Sequence, residues 1–209
     1  MAQITEAAHH EEEQNCTGID NRKLLFWVFL STDCLFFGAL ISTYMVYRGQ
    51  SLVGPYPIDI LDIPLTTIST FVLLCSSFAM VMALSATQKD DLKGIRIWLA
   101  ATAVMGMVFI GFQIFEFWEF AHHGLLISTN LFGSTFFTLT GFHGAHVSLG
   151  IVWLWVLFIL SFRGKVNSAR VLDVEICGLY WHFVDIVWIV IFTLLYLVGG
   201  FDAGPVITG

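Results

Sequence analysis

Residues 24–47 read LLFWVFLSTDCLFFGALISTYMVY, an apolar run broken by one formal charge, Asp33. A helix needs about 20 such residues to cross the hydrocarbon core of a bilayer. Polarity along the run does not alternate, as it would in a strand of a membrane barrel. A helix satisfies its own backbone N–H and C=O groups inside lipid, where no water can do so. The run therefore predicts a transmembrane helix. Working outward, four further runs of this kind occupy about residues 65–86, 95–117, 133–161 and 177–199. The chain of 209 residues is 57% hydrophobic and 12% charged, against about 25% charged for a soluble domain. The fold class follows: an all-α membrane protein, a bundle of five transmembrane helices.

Lysine and arginine set the expected orientation. Arg22, Lys23, Lys89, Lys93, Arg96, Arg163, Lys165 and Arg170 fall on one side of the expected topology, and only Arg48 falls on the other. Cytoplasmic loops carry the basic excess, so the N-terminus is expected in the cytoplasm and the C-terminus outside. The organisation reads as an acidic, flexible tail (1–21), one transmembrane domain (22–200) and a short external tail (201–209). No short apolar stretch with a small-residue cleavage site precedes the first span, so no cleaved signal peptide is expected. His9 and His10 belong to the solvated tail. With few basic residues, nothing points to nucleic acid. Cys16, Cys34, Cys75 and Cys177 form no C-x-x-C pair, which argues against c-type haem attachment and the usual zinc pairs. The segment 48–64, with Gly54, Pro55, Pro57 and Pro64, reads as an ordered external connection.

Ionisable residues inside membrane spans are rare and call for partners. Asp33, His143 and Asp185 each sit about ten residues into a span, roughly 15 Å deep at 1.5 Å per residue. His146 and His182 lie somewhat closer to the cytoplasm, and these residues are expected to form a polar layer facing the bundle interior. Glu116, near the outer end of the third span, reads either as a relay acid or as an interfacial carboxylate reaching water. Asp33 and Glu116 are the candidate acids for a proton-related role. His143 and His146, like His182 and Asp185, are three residues apart and share a helix face. Gly141 and Gly144 beside the histidines, and Gly150 beyond them, offer a close approach for a neighbouring helix.

Three imidazoles and a carboxylate suit zinc, iron or copper, so a membrane metal-binding oxidoreductase using His143, His146, His182 and Asp185 is one reading. A proton or solute transporter using the same layer is another, although no inverted repeat is visible. Interhelical hydrogen bonding is the third. Trp98 and Trp118 lie near span ends as interfacial anchors. Trp153, Trp155, Trp181 and Trp188 lie deeper and read by default as packing, with the lining of a lipid or cofactor groove as the alternative.

Four stretches carry a resemblance. STDCLFFGALISTY (31–44), GFQIFEFWEF (111–120), TGFHGAHVSLG (140–150) and WHFVDIVWIVIFTLLYL (181–197) are similar to subunit III of the haem–copper terminal oxidases. They occur in that family's order and together span nearly the whole chain, about residues 22–200. The resemblance is to the short bacterial members, which lack the first two helices of the longer ones. It implies a subunit without a redox centre, bound to the catalytic subunit I of a proton-pumping oxidase that reduces O2 to water. Subunit II, and in some complexes subunit IV, would be further neighbours, and a respiratory supercomplex is a compatible larger assembly. Haems and copper would sit in the partner subunits, and this chain would bind none. A catalytic subunit needs histidines for two haems and a copper, whereas the spans here hold only His143, His146 and His182. The family also implies structural phospholipid, support of proton uptake, and a place in the bacterial cytoplasmic membrane. Under this resemblance the four polar span residues make interhelical or lipid contacts and bind no metal. Mitochondrial-type members carry Glu where Asp33 stands, and bo-type quinol oxidases resemble its T-D-C setting. The TGFHGAHV and WHFVDIVW stretches resemble cytochrome c oxidases at least as well, and that branch also includes short bacterial subunits, so cytochrome c is the expected donor and quinol the alternative.

Overall fold

The structure, a computed structural model, describes residues 20–51 and 61–199. The acidic tail through residue 19 (with His9, His10 and Cys16), the middle of the 48–64 connection and residues 200–209 lie outside the described residues. Five long helices follow one another: α1 (Asn21–Tyr47), α2 (Ile63–Gln88), α3 (Leu92–His122), α4 (Leu131–Phe162) and α5 (Val171–Ile191). A 3-10 turn, Ser168–Arg170, leads into α5, and a π-helical segment, Phe192–Val198, continues it. Five helical stretches are long and apolar enough to cross a membrane, and the described residues contain no β-strand. This is a multi-pass membrane protein.

Polar caps place the helix starts. Asp20, Asp62, Asp91 and Asn130 each accept a hydrogen bond from a first-turn backbone N–H, of Arg22, Leu65, Lys93 and Gly133 respectively. Such caps satisfy amides that the helix itself leaves orphaned. Pro64 in the first turn of α2 loses nothing there, because its missing N–H would have been unpaired anyway. Caps of this kind explain why α2, α3 and α4 begin before their apolar stretches do.

Four helices close a ring: α2 packs on α3 and α5, α3 on α4, and α4 on α5. Its centre is built around two tryptophans of α5. Trp181 lies in a notch made by two glycines. A Cβ at Gly106 of α3 would stand 2.6 Å from Trp181 Cη2, and one at Gly150 of α4 would stand 2.9 Å from its Cε3. The indole N–H groups are satisfied across the ring: Trp181 Nε1 donates to Ser76 Oγ and Trp188 Nε1 to Thr70 Oγ1, both at 2.9 Å. The two rings thus fill the space between helices and bond to α2 at the same time.

Helix α1 lies outside this ring, against α4 and α5. Its buried residues are Leu30, Phe37 and Tyr44, seven apart, which is the narrow stripe expected of one helix riding on others. At one end Arg22 pairs with Asp173 at 2.6 Å and Lys23 with Glu175 at 2.5 Å. At the other end Arg48 donates to the Val198 carbonyl at 2.7 Å. The first of these ends also gathers the α2–α3 turn and the α4–α5 connection. There the backbone N–H of Ser168 donates to Asp90 Oδ1 at 2.7 Å. Asp90 takes φ +54°, a left-handed conformation that Asp adopts more readily than most residues. Contact with Ser168, through its side chain and its backbone, holds the Asp90 carboxyl below its usual pKa.

Candidate functional site

The polar residues of the spans form separate groups, not one layer. Three residues along an α-helix turn about 60° short of a full circle, and that offset divides His143 from His146. His143 points into the ring and is fully buried. Its ring stacks on Trp188, with centroids 4.9 Å apart and planes at 24°, and meets Phe109 edge-on at 6.0 Å. Neither of its nitrogens has a hydrogen-bond partner among the described residues. His146 turns instead towards α1. Its Nδ1 donates to the Phe142 carbonyl at 2.7 Å, which leaves Nε2 facing Asp33 Oδ2 at 3.9 Å. Both side chains of that pair remain slightly open, at 17% and 15% exposure. Asp33 is therefore a seam residue between α1 and α4, and is not in the bundle interior as expected.

His182 and Asp185 share a face, as their spacing requires, but the face meets α2. Ser77 Oγ donates to Asp185 Oδ2 at 2.7 Å, and His182 Nδ1 lies 3.3 Å from the same hydroxyl. With the single hydroxyl proton given to Asp185, the His182 Nδ1–H is the donor to Ser77. The four side chains of the metal reading are thus divided among three environments. Among the described residues no group of three or more His, Cys, Asp or Glu is placed to hold a metal ion.

Glu116 departs furthest from expectation. It does not reach water at an interface but is buried at 3% exposure. Thr66 Oγ1 donates to its Oε1 in a short hydrogen bond, and Tyr196 Oη donates to Oε2 at 3.2 Å. Tyr196 is set in the π-helical segment, which carries its ring in from α5. Extra-residue turns of this kind often mark places where a helix re-aims a side chain. One turn before Glu116, Gln113 donates from Nε2 to the Thr140 carbonyl of α4 at 2.9 Å. Ser77, Thr66, Gln113 and Tyr196 were not singled out from the sequence. Gln113 carried a signal, since it stands in an apolar run three residues from Glu116. The hydroxyls carried none, because such residues are common in membrane helices.

Near these groups an apolar groove of about 720 Å³ runs between α1, α4 and α5. Arg22 stands among its lining residues, with Phe26, Phe29, Trp153, Ile176 and Tyr180 along the walls. Trp153 thus lines a groove, the alternative to packing for the deeper tryptophans. Tyr180 Oη donates to the His146 carbonyl at 3.0 Å, tying the groove wall to the helix that carries the Asp33–His146 pair. Asp33 lies one turn beyond Phe29 on α1, continuing the same face.

The comparisons with known proteins agree with one another. The family model for cytochrome c oxidase subunit III matches residues 19–200. The probable quinol oxidase subunit 3 of Staphylococcus saprophyticus is 42% identical over 178 residues, covering 85% of this chain and 89% of that protein. Cytochrome c oxidase subunit 3 of Alkalihalophilus pseudofirmus is 37% identical over 195 residues, covering 91% and 92%. Quinol oxidase subunit 3 of Bacillus subtilis is 38% identical over 174 residues, covering 83% and 85%.

Proposed function

Because the chain belongs to the cytochrome c oxidase subunit III family, we propose that it is the non-redox flank of a proton-pumping haem–copper oxidase that reduces O2 to water. Its main partner is the catalytic subunit I, with subunits II and IV as further neighbours and a respiratory supercomplex as a compatible assembly. The basic end of the bundle, carrying Arg22, Lys23 and the α2–α3 and α4–α5 connections, faces the cytoplasm of a bacterium. The opposite end lies outside the plasma membrane. Haems and copper belong to the partner subunits.

The observation that carries this reading is the groove between α1, α4 and α5. An apolar trough with a guanidinium among its lining residues suits a phospholipid: acyl chain along Phe26, Phe29 and Trp153, phosphate near Arg22. Arg22 is shared with Asp173, so the phosphate would join an existing ion pair. A lipid held there would fill the seam between α1 and the ring and place the Asp33–His146 pair at its inner end. Within the assembled complex the pair supports steady proton supply. Changing Asp33→Asn in the assembled oxidase is expected to shorten the catalytic lifetime under turnover while leaving assembly intact. Unchanged turnover, proton stoichiometry and lifetime would reduce Asp33 to a packing residue.

Cytochrome c is the donor in this reading. The second reading, a quinol donor, is supported by the 42% identical relative and by the bacterial quinol oxidase subunits alongside it. Assay of the purified complex with reduced cytochrome c and with quinol separates the two.

A further inference from the structure

The His182–Ser77–Asp185 group is not used by the reading above, and its position is informative. Ser77 is near the middle of α2, and Asp185 is 14 residues into α5, roughly 21 Å along the axis from the start of that helix. The group therefore sits at mid-membrane depth. His182 is only part-buried. Its Nδ1 is engaged with Ser77, while Nε2 has no partner among the described residues and is not enclosed with the buried orphan atoms. Asp185 Oδ1 is enclosed without a donor. Around this polar centre lie apolar side chains that are open to the outside. Leu74 and Val81 flank Ser77 by one turn on α2, and Ile186 and Ile189 follow on α5, each 40–60% exposed.

A polar group at this depth has few ways to be satisfied. Acyl chains carry no hydrogen-bond donor, ester carbonyls only accept, and water is scarce in the hydrocarbon region. An ionisable side chain opening on lipid at mid-membrane is costly, and such residues face protein or a wet cavity instead. A polar centre ringed by apolar side chains is also the pattern of an interface hot spot, where the ring excludes solvent from the central contact. The complement is a neighbouring membrane helix that brings a donor.

We infer that the α2–α5 face is where a transmembrane helix of the oxidase's catalytic subunit docks, with a side-chain hydroxyl or N–H of that helix donating to His182 Nε2. This rests on the subunit reading above. It places the catalytic subunit against α2 and α5, on a face separate from the lipid groove between α1, α4 and α5.

The test uses the whole complex in native membranes, purified through a tag on this chain. A photo-crosslinking benzoylphenylalanine replaces Ile186. On irradiation, a covalent adduct with the catalytic subunit is expected. His182→Leu is expected to lower the amount of catalytic subunit retained in mild detergent several-fold. His182→Gln, which keeps a hydrogen-bonding amide at the site, is expected to restore most of it. A membrane-expression and thermal-stability check on both variants separates lost docking from lost folding. A haem-containing complex in which Ile186 crosslinks only to lipid, or only to a second copy of this chain, overturns the docking face and leaves the subunit reading standing. A wild-type chain that brings down no haem-containing partner overturns both.

Discussion

Helix α1 and the ring α2–α5 are held by different physics. Inside the ring, hydrogen bonds join the helices at several depths: Trp181 to Ser76, Trp188 to Thr70, Gln113 to the Thr140 carbonyl, Ser77 to Asp185, and Thr66 and Tyr196 to Glu116. In lipid there is little hydrophobic drive between helices, so close packing and such bonds carry association. Helix α1 has three buried residues in one stripe, ion pairs at one end and an arginine–carbonyl bond at the other. Between those fastenings lie the groove and the loosely paired Asp33 and His146. The ring is specified by its own side chains, whereas α1 leaves a seam that an outside molecule can complete.

The largest expected effect compares two glycines. Gly106→Val pushes a side chain into Trp181, whose Cη2 is 2.6 Å from the would-be Cβ. Gly38→Val on α1 meets nothing within 4 Å. Overpacking of a tight core costs about 1–3 kcal/mol, so Gly106→Val should lower the melting temperature of the complex in detergent sharply while Gly38→Val leaves it nearly unchanged. Equal effects would abolish the distinction between ring and outrigger.

A smaller effect is expected from Trp188→Phe, which keeps most of the ring packing but deletes the N–H to Thr70. Interhelical hydrogen bonds in membranes contribute roughly 0.6–2 kcal/mol. The loss should appear as faster hydrogen exchange in both α2 and α5, with α1 unaffected. Exchange confined to α5 would mean that the indole bond does not couple the two helices.

The smallest effect belongs to the fastenings of α1. Arg22→Gln with Lys23→Gln removes two ion pairs whose side chains are 30–66% exposed, and pairs so open to solvent contribute about 0.2–1 kcal/mol. Exchange should quicken in the first turns of α1 alone, and added salt should reproduce part of the change in the unaltered protein. A drop in the melting of the ring would show that the two regions are less separate than their contacts imply.

The five helices were legible because lipid leaves the backbone one common solution and the apolar runs are long. Lysine and arginine gave the expected sidedness by the same plain logic. The site was less legible. Depth along a helix follows from counting residues, and it set Asp33, His143 and Asp185 at one level with His146 and His182 nearer the cytoplasm. Depth says nothing of azimuth or helix order, and these decide partners. His143 and His146 therefore read as one pair, yet the offset between them sends one to Trp188 and the other to Asp33. Glu116 looked interfacial from its place near the end of a run. Burial came from Thr66 on another helix and from Tyr196 in a π-helical segment, neither of which leaves a mark in the sequence.

The most direct test of the account is a reduced-minus-oxidised optical spectrum of material purified through a tag on this chain, before and after the chain is stripped from its partners with detergent. Haem bands are expected in the intact complex, carried entirely by the larger subunits, with none following the released chain. Haem or redox-active metal travelling with the isolated chain would contradict it.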